Sequence, residues 1–404
     1  MSYRIDRLGH QGDGIAAGPV FAPMTLPGEV VSGTLNGQRL TDIRIIEPSA
    51  RRVTPPCRHF KACGGCQLQH ADDAFVAAWK EDVVRTALAA HGIEAPFRPI
   101  ATSPPQARRR ATLSARRTKK GAMAGFHGRA SDVIVEIPDC QLLHPDLMRA
   151  IPVAEALAQE TASRKGALDV AACLSGGGLD VNVTGGKPLD GPLRITLAAL
   201  AEAHDLARLA WEGEVIAARH SPVQRFGNTH VVPPPGAFLQ ATAEGEAALL
   251  ADVMAAMTGA ARIVDLFAGC GTFTLPLSAH AQVHAVEGEA AMIEALDAGW
   301  RKAPGLKQLT VEARDLFRRP LLPAELKRFD GAVIDPPRAG AEAQVAPLIA
   351  AAIPRIAYVS CNPVTFARDA AALTSGGYTL TGLRVVDQFR WSSHVELVAD
   401  FARI

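Results

Sequence analysis

The segment Ile356-Ala357-Tyr358-Val359-Ser360-Cys361-Asn362-Pro363 runs an apolar, strand-like stretch into a cysteine and then turns on Asn-Pro. A cysteine delivered to the end of a strand is placed to act as a nucleophile. The alternative is a small buried hydrophobe, the ordinary use of a free cysteine. A second constellation lies upstream. Cys57, Cys63 and Cys66 fall within ten residues, and two glycines separate the last two. Glycine lets the backbone curl so that both sulfurs face one centre. A fourth thiolate completes a tetrathiolate site, and Cys140, in Ile137-Pro138-Asp139-Cys140, is a better candidate than Cys173. Four such ligands hold zinc or an iron–sulfur cluster, and spacing alone leaves both open. His59 and His70 lie close enough in sequence to keep a mixed Cys/His zinc site open too. The three-cysteine radical-cluster motif has a different spacing.

A third set of residues points to a nucleoside ligand. Arg262-Ile263-Val264-Asp265-Leu266-Phe267-Ala268-Gly269-Cys270-Gly271-Thr272 reads as a buried strand, a Gly-X-Gly turn and a helix start. That is the first βα unit of a doubly wound sheet, with glycines that let the backbone approach a ligand. A dinucleotide turn places a third glycine where Thr274 stands, which disfavours NAD. The next strand ends at Glu287, where a carboxylate can accept both ribose hydroxyls of an adenosine ligand. Asp315 follows the third strand, where the adenine edge belongs, and Asp335-Pro336-Pro337-Arg338 follows the fourth. Two prolines hold that chain extended, so Asp335 projects into the crevice at the carboxyl ends of the strands. S-adenosylmethionine is the ligand this pattern suits. For Glu287 and Asp315 the plainer alternative is a helix cap or a surface charge.

The elements that must position these groups follow from pattern. The 404 residues allow two or three domains, and 48% apolar with 21% charged content suits a globular chain. Residues 1–50 show short apolar runs between Gly and Pro turns, a small β domain. Residues 51–225 carry the cysteines and then a central α+β region. It includes an amphipathic helix over about 72–91 and alanine-rich helical stretches from Ala150 to Ala162 and Leu193 to Ala210. The rigid Pro233-Pro234-Pro235 linker then opens a nucleotide-type α/β domain over residues 226–404. Net charge is +1, so any nucleic-acid contact must come from a local patch. One exists: Arg108, Arg109, Arg110, Arg116, Arg117, Lys119 and Lys120 fall within thirteen positions. With Gly125-Phe126-His127-Gly128 read as a turn, the segment predicts a basic β-ribbon with an aromatic tip, suited to phosphate contact and base stacking on RNA. The alternative is a solvated charged strand. No apolar run is long enough to span a membrane and Met1-Ser2-Tyr3-Arg4-Ile5-Asp6 lacks a secretion signal, so a cytoplasmic monomer with reduced cysteines is expected.

Together these motifs resemble the RNA uridine-5-methyltransferase family, specifically its iron–sulfur-containing 23S ribosomal RNA branch. The stretch Leu26-Pro27-Gly28-Glu29-Val30-Val31 resembles the TRAM β-barrel of RNA-modifying enzymes. The other carriers are the four cysteines, Phe238-Leu239-Gln240, Asp265 to Gly271, Asp335-Pro336-Pro337-Arg338, Ser360-Cys361-Asn362-Pro363 and His394-Val395-Glu396. The resemblance implies a Rossmann-like S-adenosylmethionine domain behind a TRAM-like barrel and an inserted α+β RNA-binding domain. It implies Cys361 as nucleophile and Glu396 as base. It implies Gln240, Phe267, Thr272, Glu287, Asp315 and Asp335 as cofactor-binding positions, although some members carry Asn where this chain has Thr272. It implies a [4Fe-4S] cluster on Cys57, Cys63, Cys66 and Cys140.

The chemistry such a set performs is definite. Carbon 5 of uracil is a poor nucleophile, and thiolate addition at carbon 6 converts the ring to an enolate that attacks an electrophilic methyl. A base then removes the carbon 5 proton so that the thiolate leaves. The uracil must first leave its stack. A transfer-RNA uridine methyltransferase and a non-catalytic iron–sulfur RNA-binding protein are the competing readings. A DNA cytosine methyltransferase is disfavoured because its nucleophile follows proline, whereas Cys361 follows Ser360.

Overall fold

The computed structural model describes residues 2–163 and 166–403. The chain begins with a closed barrel of five strands, Ser2–Leu8, Gly14–Ala16, Val20–Ala22, Val30–Asn36 and Arg39–Glu47. Ile5, Ala16, Val20, Ala22, Val31 and Leu40 fill it. Closure removes the free edges that a small sheet would otherwise expose. The barrel is tied to the cysteine segment through Glu29, whose buried carboxylate accepts from Arg52 and from the Leu26 and Ser49 amides. These donors hold the Glu29 carboxyl below its usual range against the opposing effect of burial.

A seven-stranded sheet follows, in the order Glu214–Ala218, Arg208–Trp211, Gly178–Thr184, Leu168–Ser175, Arg110–Arg117, Ala122–His127 and Ile134–Glu136. Helices Ala150–Thr161 and Gly191–Ala203 pack with it around Leu113, Leu157, Val170, Val181, Leu197 and Trp211. Two expectations change here. The helical reading from Leu193 overruns: the helix ends at Ala203, and Arg208–Trp211 is a strand, buried at every position. Its apolar run carries no period that separates helix from strand. Phe126 likewise sits within a strand. The hairpin turns at residues 118–121, where the Thr118 amide donates to the Gly121 carbonyl. The tip therefore carries Lys119 and Lys120, both exposed, and no aromatic ring.

The third sheet has eight strands in the order Leu309–Ala313, Gln282–Glu287, Arg262–Leu266, Gly331–Ile334, Arg355–Ser360, Glu396–Arg403, Tyr378–Asp387 and Ala101–Thr102. The first five are parallel, and Glu396–Arg403 runs antiparallel between its two neighbours. The central strands are buried along their length, which explains why Val264, Ala332, Val333, Ile334 and Ile356 to Val359 form continuous apolar runs. Helix Asp73–Ala89 covers one face of this sheet, with Val84 and Leu88 in the same core as Leu266, Ile356 and Phe401. It starts where the Asp72 carboxylate accepts from the Phe75 amide as its N-cap. Among the described residues no helix is long and apolar enough to cross a membrane.

Candidate active site

In a parallel sheet every strand delivers its last residue to one rim, and ligands bind in the crevice there. This rim collects the residues singled out above. Phe267 follows strand Arg262–Leu266, Glu287 ends Gln282–Glu287 and Asp315 follows Leu309–Ala313. Asp335 follows Gly331–Ile334 and Cys361 follows Arg355–Ser360. Glu396 begins an antiparallel strand, so its first residue lies at the same rim, beside the end of the cysteine's strand, where Ser360 pairs with Leu397.

The turn after the first strand is shaped for close approach. Phe267, Gly269 and Gly271 all have positive φ, at 64°, 55° and 95°. For a phenylalanine that geometry is rare and marks a functional constraint. The Phe267 ring lies 5.5 Å from that of Phe317, leaving two aromatic rings at the mouth of the crevice. Thr272 sits half-buried in the same turn. Beneath it the Thr274 hydroxyl donates to the fully buried Asp265 carboxylate at 2.5 Å, and burial lifts the Asp265 pKa to about 7. Glu287 accepts from the Gly269 amide at 3.1 Å through one oxygen and from the Glu289 amide at 2.9 Å through the other. Each oxygen keeps a lone pair for a ribose hydroxyl. Asp315 is half-buried and accepts from the Phe317 and Arg318 amides at 3.0 and 3.2 Å. Asp335 faces the negative charges of Glu396, Asp265 and Glu287, and burial together with these charges raises its pKa well above the usual carboxylate range. A crevice so crowded with carboxylates fits a ligand that carries positive charge, as a sulfonium does.

The loops after the fourth and fifth strands are fastened together. Asn362 caps helix Pro363–Ser375 by accepting from the Val364 amide at 3.1 Å, and its own amide donates to the Arg338 carbonyl at 2.8 Å. Thr365 donates to that same carbonyl. The Asn-Pro sequence therefore does two jobs: it starts the helix and fixes Cys361 against the Asp335 loop. Burial, then the charges of Glu396 and Asp335, push the Cys361 thiol up to about 11. The thiol is only half-buried and opens onto the rim, unlike Cys270, which is 2% exposed.

Glu396 is 4% exposed, and burial raises its pKa to about 7 against the pull of Gln388 and Arg110. The Gln388 amide donates both to Glu396 at 3.1 Å and to the Gln240 side-chain carbonyl at 2.6 Å. Its own carbonyl accepts from the Ala241 amide at 2.7 Å. One glutamine thus links Gln240, on the segment before helix Ala243–Ala256, to the carboxylate. Sequence reasoning missed Gln388, because a lone glutamine carries no pattern. It also misplaced three arginines of the basic cluster. Arg109 pairs with Glu246, Arg110 lies 4.3 Å over the exposed ring of Phe238 with its charge near Glu396, and Arg108 lies near Phe389 and the thiols of Cys66 and Cys140. Only Arg116, Arg117, Lys119 and Lys120 remain on the surface.

The four cysteines form a separate cluster, in which Cys66 packs with Phe60, Leu142 and Trp391. Cys66 is pushed up to about 12 by burial and then by the neighbouring thiols of Cys140, Cys63 and Cys57. Burial also raises Cys63 and Cys140, whose sulfurs lie 3.4 and 3.5 Å from the Gly65 and Leu142 amides. Cys173 lies elsewhere, on strand Leu168–Ser175 beside Gln224. His59 pairs with Asp139, and His70 is buried without a partner for either ring nitrogen. Among the described residues no group of three or more His, Cys, Asp or Glu side chains is arranged to hold a metal ion. That holds for Cys57, Cys63, Cys66 and Cys140 as much as for a mixed Cys/His set. The donor set is four thiols held as neighbours, with backbone amides turned toward two of the sulfurs.

Comparison with known proteins adds the following. A family model described as tRNA (Uracil-5-)-methyltransferase matches residues 230–399. An RNA methyltransferase of Rhizobium meliloti is 44% identical over 98% of this chain and 97% of its own. The 23S rRNA (uracil(1939)-C(5))-methyltransferase RlmD of Chromohalobacter salexigens is 33% identical over 97% of this chain and 87% of its own. Among solved structures, the Pyrococcus abyssi tRNA (uracil-54, C5)-methyltransferase in complex with S-adenosyl-L-homocysteine covers 100% of this chain and 99% of its own. It matches at a TM-score of 0.78 and 23% identity, a likeness of fold.

Proposed function

The chain belongs to the RNA uridine-5-methyltransferase family, S-adenosylmethionine-dependent enzymes with a Rossmann-like domain; from that premise we propose that it methylates carbon 5 of a uridine in 23S ribosomal RNA through a covalent Cys361–pyrimidine adduct. The observation that carries this reading is the meeting of Cys361 and the buried Glu396 at one rim of the sheet, close enough for the carboxylate to perturb the thiol. The 33% relative covering nearly the whole chain supports ribosomal over transfer RNA.

When bound, S-adenosylmethionine supplies an electrophilic methyl group. Glu287 would accept the ribose hydroxyls, Phe267 and Phe317 flank the mouth, and Asp315, Asp335, Thr272 and Gln240 would complete the binding set. Cys361 gives up its thiol proton and its sulfur bonds to carbon 6 of the uracil, so that the ring's electron pair moves to carbon 5. Carbon 5 then attacks the methyl group, whose bond to the sulfonium sulfur would break with its electron pair left on sulfur as a neutral thioether. Glu396 removes the carbon 5 proton, the carbon–sulfur bond breaks and the 5–6 double bond re-forms. The resting thiol at about 11 is poorly ionised, so its proton must pass to a neighbouring carboxylate. Asp335, whose raised carboxyl is a better base than an ordinary one, takes that proton, and Glu396 stays ionised for the carbon 5 proton. The exposed basic hairpin tip supplies phosphate contacts.

For Cys57, Cys63, Cys66 and Cys140 the reading is a [4Fe-4S] cluster. Four neighbouring thiols with two sulfurs facing backbone amides support it, and no step of the reaction passes through it. Iron and sulfide assay of protein purified without oxygen checks this: loss of both on Cys66→Ser is expected, and an iron-free protein with parental folding would exclude it. The function itself is tested by incubating the protein and donor with 23S and transfer RNA and mapping 5-methyluridine. Methylation of the ribosomal RNA is expected, abolished by Cys361→Ala. Turnover by that variant, or product in transfer RNA alone, would overturn the reading.

A further inference from the structure

Lys80 is a charged side chain with no solvent exposure, and the chemistry above does not use it. It sits on helix Asp73–Ala89 and its ammonium has three protons to place. All three go to one segment: Asp387 Oδ1 at 2.5 Å, the Phe389 carbonyl at 3.1 Å and the His394 carbonyl at 2.9 Å. That segment leaves strand Tyr378–Asp387 and ends at the residue pair before Glu396. It is irregular backbone, with Trp391 at a φ of 59°. It is also tied by the Gln67 and Leu68 amides, both donating to the Trp391 carbonyl at 2.7 and 2.9 Å, by the Ser103 amide donating to the Asp387 carbonyl at 3.0 Å, and by Arg390, which donates to the Ser103 carbonyl at 3.1 Å and to Asp73. Between the first two of Lys80's acceptors lies Gln388, the residue that bonds Glu396 and Gln240.

A buried ion pair is a costly way to hold a loop where apolar packing would stabilise as well, so its use here points to geometry. A rigid loop with its hydrogen bonds filled is also what the last step requires. Glu396 must meet one proton on a tetrahedral carbon 5, and a displacement of an ångström is damaging. We propose that Lys80 is a positioning residue: a three-pronged clamp on the 387–394 loop that holds Glu396, through Gln388 and His394, where it removes the carbon 5 proton. The inference rests on the reading of Glu396 as the base.

Loosening the clamp has a specific signature. Bond formation by Cys361 and receipt of the methyl group precede the action of Glu396, so they proceed. Proton removal stalls, and the methylated RNA stays bonded to the protein. Lys80→Met alone strands the buried Asp387 charge, so the test pairs it with Lys80→Met/Asp387→Leu, which removes both charges and restores apolar packing. In whichever variant melts like the parent, kcat is expected to fall on the order of 10- to 100-fold, with KM for RNA unchanged. A methyl-bearing protein–RNA adduct that survives denaturation is expected to accumulate. Glu396→Gln, run alongside, separates the two ideas. If Glu396→Gln accumulates the adduct and the clamp variants release product at the parental rate, the clamp is wrong and the base stands. If neither accumulates it, the base assignment fails and the clamp inference with it.

Discussion

Replacing Glu396 by glutamine probes the electrostatics of the site without touching RNA. The carboxyl is buried and its pKa stands at about 7, against 4.5 for an ordinary glutamate. The folded protein therefore holds a proton that the unfolded chain has already released across that interval. A raised carboxyl gives its stabilising contribution in full below the unfolded pKa and loses it as pH rises through the folded one. Lifting the carboxyl from 4.5 to about 7, at about 1.4 kcal/mol for each tenfold change in proton affinity, comes to about 3 kcal/mol of lost stability above neutrality. Glutamine carries no charge at either end of the range, and its carbonyl still accepts from the Gln388 amide. Thermal melts of ligand-free protein at about pH 5 and about pH 8.5 form the assay. The variant is expected to resemble the parent at the acid end and to melt several degrees higher at the alkaline end. A variant that melts below the parent at alkaline pH would show that Glu396 rests as a well-compensated carboxylate, which contradicts the reasoning.

Other perturbations follow the same physics. Asp335→Asn removes a negative neighbour of Cys361, so its thiol pKa should fall. Alkylation at alkaline pH, where Asp335 is ionised in the parent, should then quicken by somewhat less than tenfold for each unit of that fall, measured on a Cys361-resolved peptide. Arg110→Met removes the cation that opposes burial at Glu396. The rise in rate with pH should then shift to higher pH, read from kcat/KM profiles. Lys119→Ala/Lys120→Ala strips the exposed hairpin tip and should reduce the slope of log affinity against log salt by about 2, with methyl-donor binding unchanged. An unaltered salt slope would place the RNA elsewhere.

Most of the rim was legible in the sequence because its residues close an apolar run at a turn, Glu396 alone opening one. Glu287, Asp335 and Cys361 needed only the rule that parallel strands deliver their carboxyl ends to one side. What the sequence could not carry was the pairing of distant segments. Lys80 and Asp387 stand 307 positions apart, and nothing local marks either as half of an ion pair. Arg109 and Arg110 looked like a solvated cationic patch because charge runs usually are. Their strand lies instead against the segment that carries Phe238 and Gln240, and both guanidiniums turn inward. Phe126 was mistaken for a hairpin tip because glycines flank it. Gly125 is in fact a strand residue where a Cβ would fall 1.9 Å from the Val135 carbonyl, so the glycine marks strand-to-strand contact and no turn.

A substrate analogue puts the nucleophile to the most direct test. RNA carrying 5-fluorouridine has no carbon 5 proton for Glu396 to take, so the reaction should halt after methyl transfer with the sulfur still bonded to the ring. Digestion and mass analysis of the denatured complex are expected to find one nucleotide, with its added methyl, on Cys361. RNA recovered wholly free, or a modified peptide containing another of the cysteines, would contradict the account.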